Sequence, residues 1–280
     1  MFKFCLNTST IKGYKLKLRE EIDIAAQAGY HAIEPWISEL EAHEQSGGTM
    51  EELATMVSDK GLSIQGAIGF FEWIVDDNAR RAAALENARR DMDKVGRIGG
   101  TLIAAPPSGA TETSDINLFR AAERYADLCE VGREMGVRPL VEVWGFSKTL
   151  SRLGEATFVA IESGHPDACI LADVYHLHKG GSPHQGLSLL NGDKLPLFHV
   201  NDYPAEPGRE TIKDAERVYP GDGVAPLQEI FATLESIGFN GYLSLELFNP
   251  GYWEGDALQT AQTGLQKLQA VLARESDPAI

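Results

Sequence analysis

Eight short runs rich in aliphatic and β-branched residues recur along the 280 residues, separated by longer helical patterns. They are FKFCLN (2–7), HAIEPW (31–36), LSIQGAI (62–68), TLIAAP (101–106), RPLVEVW (138–144), ACILADV (168–174), PLFHVND (196–202) and YLSLELF (242–248). Most are continuously apolar rather than alternating, as a strand covered on both faces requires. Between them lie amphipathic stretches such as LREEIDIAAQAG, DINLFRAAERYADLCEVGREMG and DALQTAQTGLQKLQAVLARES. Gly29, Gly61, Gly99, Gly136 and Gly238 each stand where a helix has to stop before the next strand. Strand, helix and glycine repeated in this way predict a parallel sheet, and eight such units predict a closed (β/α)8 barrel, a TIM barrel. Such barrels commonly run to about 250 residues as one unit. No Pro/Ser linker or charge block divides the chain, so residues 1–280 are expected to form a single domain.

A formal charge of −16 repels phosphate backbones and anionic headgroups, so neither nucleic acid nor membrane is expected as a partner. The opening MFKFCLNTST lacks the apolar core of a signal peptide, and no stretch reaches the ~18 apolar residues of a membrane span. The closing residues of LARESDPAI are polar, are expected to fray and carry no targeting tail, so a cytoplasmic protein is expected. Cys5, Cys129 and Cys169 form no CxxC pair and read as small core residues rather than a disulfide framework or zinc knuckle.

Barrel chemistry sits at the carboxyl ends of the strands. Four consecutive strands end on ionisable groups set in apolar sequence: Glu142 in VEVWG, Asp173 in LADVYH, His199 in FHVND and Glu246 in LELFN. Each alone has a structural explanation: an arginine partner for either glutamate, a helix cap for Asp173, a satisfied core imidazole for His199. Together they are harder to explain. Three neighbouring buried carboxylates without counter-charge would cost several kcal/mol per ion, and these strand segments contain no Lys or Arg except Arg138 at a strand start. One divalent metal ion held by all four resolves the cost. Oxygen donors with one imidazole suit Mn2+ first, then Mg2+ or Co2+, with Zn2+ admissible, and the lack of cysteine disfavours a structural thiolate site. The irregular stretch from 201 to 223, directly after a strand, reads as a functional loop.

These four residues, one per strand and in this order, resemble the metal ligands of the xylose isomerase-like barrels, a family that includes inosose isomerases, hydroxypyruvate isomerases and ketose 3-epimerases. The resemblance runs nearly end to end. ERVYPGDG, LESIGFNGYLSLELFNPGYW and the opening KFCLNTST resemble the inosose (2-keto-myo-inositol) isomerase branch. It implies that His176 in DVYHLH hydrogen-bonds a substrate oxygen near the metal, where the bland reading is a helix-start histidine. It implies also that Arg217 in ERVYPG contacts substrate and a catalytic carboxylate, against a solvated surface arginine, although the loop carrying it is longer than in the simplest epimerases. A homo-oligomer is likewise implied.

A metal chelated by a carbonyl and an adjacent hydroxyl acidifies the carbon-bound proton between them, so an enediolate becomes accessible. Glu142 and Glu246 then flank the substrate, one removing that proton and the other returning it at a neighbouring carbon or opposite face. The expected activity is isomerisation or epimerisation of a keto-sugar or keto-cyclitol. The alternatives are a lyase on the same barrel (a 3-dehydroshikimate dehydratase, a 3-keto-glycoside eliminase or a sugar-acid decarboxylase) and a catalytically silent sugar-binding barrel. Trp36, Trp144 and Phe146 lie beyond strand ends and read as a substrate wall, since sugar rings present C–H faces to aromatic side chains. Glu34 either binds a substrate hydroxyl or orients a metal ligand. There is no GxxxxGK[ST], and the glycines of HKGGSP are too few for a phosphate nest, so an uncharged or carboxylated polyol is expected rather than a sugar phosphate.

Overall fold

The computed structural model describes residues 2–273, and the fraying expected at the very end of the chain lies outside them. All eight expected strands form: β1 Lys3–Asn7, β2 Ala32–Glu34, β3 Ser63–Ile64, β4 Leu102–Ala105, β5 Arg138–Glu142, β6 Cys169–Asp173, β7 Leu197–Val200 and β8 Tyr242–Leu245. They are parallel and hydrogen-bonded in the order β3-β2-β1-β8-β7-β6-β5-β4. The remaining seam, between β3 and β4, is closed by one residue. Ala67 N–H donates to Leu102 O at 3.2 Å and Ala67 O accepts from Ala104 N at 2.9 Å. β3 is therefore shorter than the 62–68 run: Gln65 and Gly66 leave the ladder before Ala67 rejoins it, as glycine in a strand favours.

Nine helices wrap the described barrel: α1 Leu18–Ala28, α2 Ile37–Gln45, α3 Met50–Asp59, α4 Asn78–Arg97, α5 Leu118–Met135, α6 Leu153–Glu162, α7 Val174–Lys179, α8 Leu227–Ser236 and α9 Ala257–Ala273. Asp77 and Asn117 start α4 and α5 by accepting N–H bonds from residues two and three positions on. The five punctuating glycines, Gly29, Gly61, Gly99, Gly136 and Gly238, all adopt φ between +70° and +93°. Among the described residues no helix is long and apolar enough to cross a membrane. The three cysteines are buried and free.

Period two in the strands separates two apolar layers. Leu6, Ile33, Ile103, Val141, Ile170, Phe198 and Leu243 face the helices and join the main core. Leu102, Ala104, Leu140, Cys169, Leu171 and Leu197 face one another inside the barrel. Two residues further along the inward rows stand Glu142, Asp173 and His199, so the alternation that fills the barrel also aims the ionisable groups into its mouth.

Candidate active site

Asp173 closes β6, His199 lies in β7 and Glu246 follows β8; each offers one ligand atom, and these atoms lie within 4.8 Å of one another in a buried set. His199 Nδ1 is 3.3 Å from Glu246 Oε2 and 4.0 Å from Asp173 Oδ2. It is buried without a hydrogen-bond partner, whereas Nε2 is 3.0 Å from Glu34 Oε2. With Glu34 accepting from Nε2–H, Nδ1 would present its lone pair to a cation held among the carboxylates, which is how metal-binding imidazoles are oriented. Burial draws the His199 pKa down, but Glu246 and Glu34 outweigh it and hold it well above its ordinary value. The site attracts positive charge, and its two carboxylates and orphaned imidazole nitrogen fit a divalent cation.

Glu34 also accepts from Asn7 Nδ2 at 3.0 Å and Ser244 Oγ at 2.7 Å. Its carboxylate is occupied by barrel partners, so of its two sequence readings the geometry matches the one that orients His199. Asn7 donates in addition to Glu246 Oε1 at 3.2 Å. Asp173 accepts from His176 N at 2.8 Å as the cap of α7, and from Asn201 Nδ2 at 3.0 Å.

The counter-charge missing from the strand segments comes from a loop. Arg217 is fully buried, with Nη1 3.1 Å from Asp173 Oδ2 and 2.8 Å from Glu246 Oε2. Nη2 pairs with Asp214 and donates to His176 Nε2 at 3.2 Å, and the Tyr175 ring lies 4.4 Å from the guanidinium carbon. Arg217 is thus no solvated surface residue, and the burial cost of the carboxylates is shared between it and any metal. Asp202 fixes this loop: its carboxylate accepts from the N–H groups of Gly221 at 2.9 Å, Gly223 at 3.1 Å and Ala225 at 2.9 Å, and its backbone pairs with Val218.

Glu142 ends β5 and is buried, but it is not a member of the convergent set of three. Burial pushes its carboxyl up to about 8; His199 opposes this, and Glu246 and Asp173 reinforce it. Glu246 goes the other way: burial alone would raise it, yet His199 and Arg217 hold it well below the usual carboxylate range. His176, in α7, is buried and its pKa falls to about 4, chiefly through burial, with Asp173 opposing and Arg217 adding to the fall. The same mouth thus pushes the two glutamates in opposite directions, up at Glu142 and down at Glu246, and favours the neutral form of His176.

Trp36, Trp144 and Phe146 come together through a ring that sequence reasoning missed. Trp36 is 5.3 Å from Phe70, Phe70 6.0 Å from Trp144, Trp144 5.0 Å from Phe146, and Phe146 5.7 Å from His176. Phe248 lies 6.2 Å from Trp36 and 5.1 Å from the Arg217 guanidinium. Asn7, Asn201, Phe70, Phe248 and Asp214 were not anticipated. For Asn7 and Asn201 a signal existed, since each is a polar residue at a strand's carboxyl end; Asp214 and Arg217 pair locally, three residues apart across one 3-10 turn, but only the path of the 201–223 loop brings them to the site.

Comparison with known proteins agrees with the fold. The profile of the xylose isomerase-like TIM barrel family matches residues 22–271. The chain belongs to that family. Within it, the inosose isomerase of Bacillus velezensis is 28% identical over 155 residues, 55% of this chain and 55% of that protein. The chain thus matches about half the length of that relative. The 3-dehydroshikimate dehydratase of Pseudomonas putida is 24% identical over 258 residues, covering 90% of this barrel and 39% of the dehydratase. The crystal structure of the IOLI protein with a binding zinc atom superposes with a TM-score of 0.89 at 19% identity, covering 97% of this chain and 98% of that one.

Proposed function

We propose that this barrel, as one domain over residues 1–280, is a divalent-metal-dependent isomerase or epimerase of a keto-sugar or keto-cyclitol of the 2-keto-myo-inositol type. One observation carries the reading: Asp173, His199 and Glu246 converge as a buried carboxylate–imidazole donor set at the barrel mouth, with a further buried glutamate, Glu142, at the end of β5. Asp173, His199 and Glu246 would hold the metal, with Glu142 as the fourth group, and Mn2+, Mg2+, Co2+ or Zn2+ all suit these donors. A bound divalent cation polarises a substrate carbonyl and acidifies the neighbouring C–H. Glu142 and Glu246 flank the substrate, one accepting the carbon-bound proton and the other returning one at the neighbouring carbon or opposite face. Neutral His176 and cationic Arg217 hydrogen-bond the substrate oxygen on which charge develops. The inosose isomerase relatives favour a cyclitol substrate.

A second reading is a lyase, favoured by the dehydratase match across 90% of the chain. The same proton abstraction then ends in loss of a β-leaving group. Both are tested by incubating Mn2+-loaded protein with 2-keto-myo-inositol and with 3-dehydroshikimate in D2O and following the products by mass spectrometry. Deuterium uptake at a carbon position of the cyclitol, without loss of a fragment, is the expected result. Loss of water from 3-dehydroshikimate would select the lyase, and absence of carbon-bound exchange in either compound would leave a sugar-binding barrel.

A further inference from the structure

The inward rows that bring acids to the mouth begin, at the other end of the barrel, with bases. In β5 the row reads Arg138, Leu140, Glu142, and in β1 it reads Lys3, Cys5, Asn7. Register fixes where the two cations point. Arg138 is level with Leu102 of β4, which faces the barrel interior, and its Nη1 lies 3.5 Å from the thiol of Cys169 in the same inner layer. Lys3 is level with Tyr242 of β8, which packs against that layer, and its Nζ stands 5.1 Å from the Tyr242 ring centre. Both side chains line one cavity of about 400 Å3 at the amino ends of the strands. In the closed strand order three strands separate β1 from β5 in either direction, so Lys3 and Arg138 enter the cavity from opposite walls.

The cavity is preformed. Arg138 N donates to Thr101 O at 2.8 Å and Gly192 N to Ile237 O at 2.9 Å, and Gly241 seats so closely that a Cβ there would lie 2.2 Å from Pro196 O. Its charges, however, are uncompensated. Among the described residues neither Lys3 nor Arg138 pairs with a carboxylate, and the acid on the lining, Asp193, is exposed and bonds neither. Arg138 is half-buried and carries five N–H donors, for which the thiol of Cys169 is a weak acceptor. Two positive groups sharing one cavity repel each other, and an anion between them turns that repulsion into attraction. Cations on opposite walls suit an anionic group at each end of a ligand, and the Leu102 and Tyr242 side chains between them suit carbon.

We propose that this cavity is a second ligand site, independent of the mouth, that takes a small dicarboxylate: one carboxylate on Arg138, the other on Lys3, and the carbon chain against Leu102 and Tyr242. Catalysis in such barrels belongs to the opposite end. A ligand here therefore acts on stability, tying β1 to β5 across the barrel.

Titration calorimetry of the full chain with succinate, at constant ionic strength, tests the site. The expected result is one succinate per chain, bound about tenfold or more weakly after Arg138→Gln and after Lys3→Gln, and equally well after His199→Ala, which disables the candidate metal site at the mouth. Inorganic phosphate should bind more weakly than succinate. Equal or tighter phosphate binding overturns the dicarboxylate assignment, as does absence of succinate binding to the unaltered protein. Succinate binding that survives both substitutions at the base, or that His199→Ala abolishes, overturns the location. The two substitutions lie on different strands, so a variant without a cooperative melting transition leaves the other to decide.

Discussion

Glu142 and Glu246 are the same residue type at neighbouring strand ends, yet their surroundings drive their protons in opposite directions: burial outweighs His199 at the first, while His199 and Arg217 outweigh burial at the second. Arg217 is the pivot, and Arg217→Met leaves Asp173 and Glu246 as buried carboxylates without their shared partner. Breaking a buried ion pair costs about 3–5 kcal/mol. Chemical denaturation in EDTA should show a loss of that order, and Mn2+ should recover more stability in this variant than in the parent, because the same carboxylates then hold the metal alone. A second residue sets a pH dependence away from the site. Asp91, in α4, is pushed up to about 6 by burial, with Lys94 and Arg90 opposing and Glu41 reinforcing. Its folded pKa lies above its unfolded value, so its contribution to stability is complete below about pH 4 and is lost as pH rises through about 6. Asp91→Asn should therefore raise stability at pH 8 by about 1–2 kcal/mol and leave it unchanged at pH 4, read from urea melts at both values.

Strands and helices place these groups by simple periodicities, but the loops set the distances between them. In β5, β6 and β7 every second residue faces inward, so placing Leu140, Leu171 and Leu197 inside commits Glu142, Asp173 and His199 to the mouth. These strands are apolar on both faces. Burial alone would tolerate a one-residue slip, and the cost of turning carboxylates into the helix layer opposes it. The loop after β5 seats on α7 through Gly145, whose absent side chain leaves room for His176 O and, at 2.6 Å from where a Cβ would be, Gly180 N. Gly145→Ala has no flexible neighbour to displace. It should lower stability by about 2 kcal/mol or more and reduce kcat/KM together, since moving the α7 backbone moves His176 away from Arg217. Thermal melts and steady-state rates check this; an unaltered Tm would mean the loop seats without that contact.

At the scale of the whole barrel, a metal held by Asp173, His199 and Glu246 would join β6, β7 and the end of β8. At 100 times its Kd, a ligand of the native state adds about 2.7 kcal/mol, which in a chain of this size is a Tm rise of about 5 °C. Mn2+ should produce that rise in the parent protein and not in His199→Ala. A flat thermal scan for the parent across millimolar Mn2+ would remove the metal site from the account.

The eight strands, their parallel order and the stopping glycines were legible in the sequence, because strand runs and helix caps are local patterns written in contiguous residues. Asp173, His199 and Glu246 were legible too, as ionisable groups at the ends of apolar strands. Tertiary structure alone decided that Glu142 stands outside their convergent set, that Glu34 is occupied by Asn7, His199 and Ser244, and that Phe70 completes the aromatic arc. Arg217 was expected from the family resemblance to meet a catalytic carboxylate; that its partners are Asp173, 44 residues away, and Glu246, in full burial, only the tertiary structure decided. The physical reason is common to all of these: the decisive interactions join residues far apart in sequence, through loops whose paths are set by scattered partners such as Asp202, and no period or motif in the chain encodes a distance across the barrel mouth.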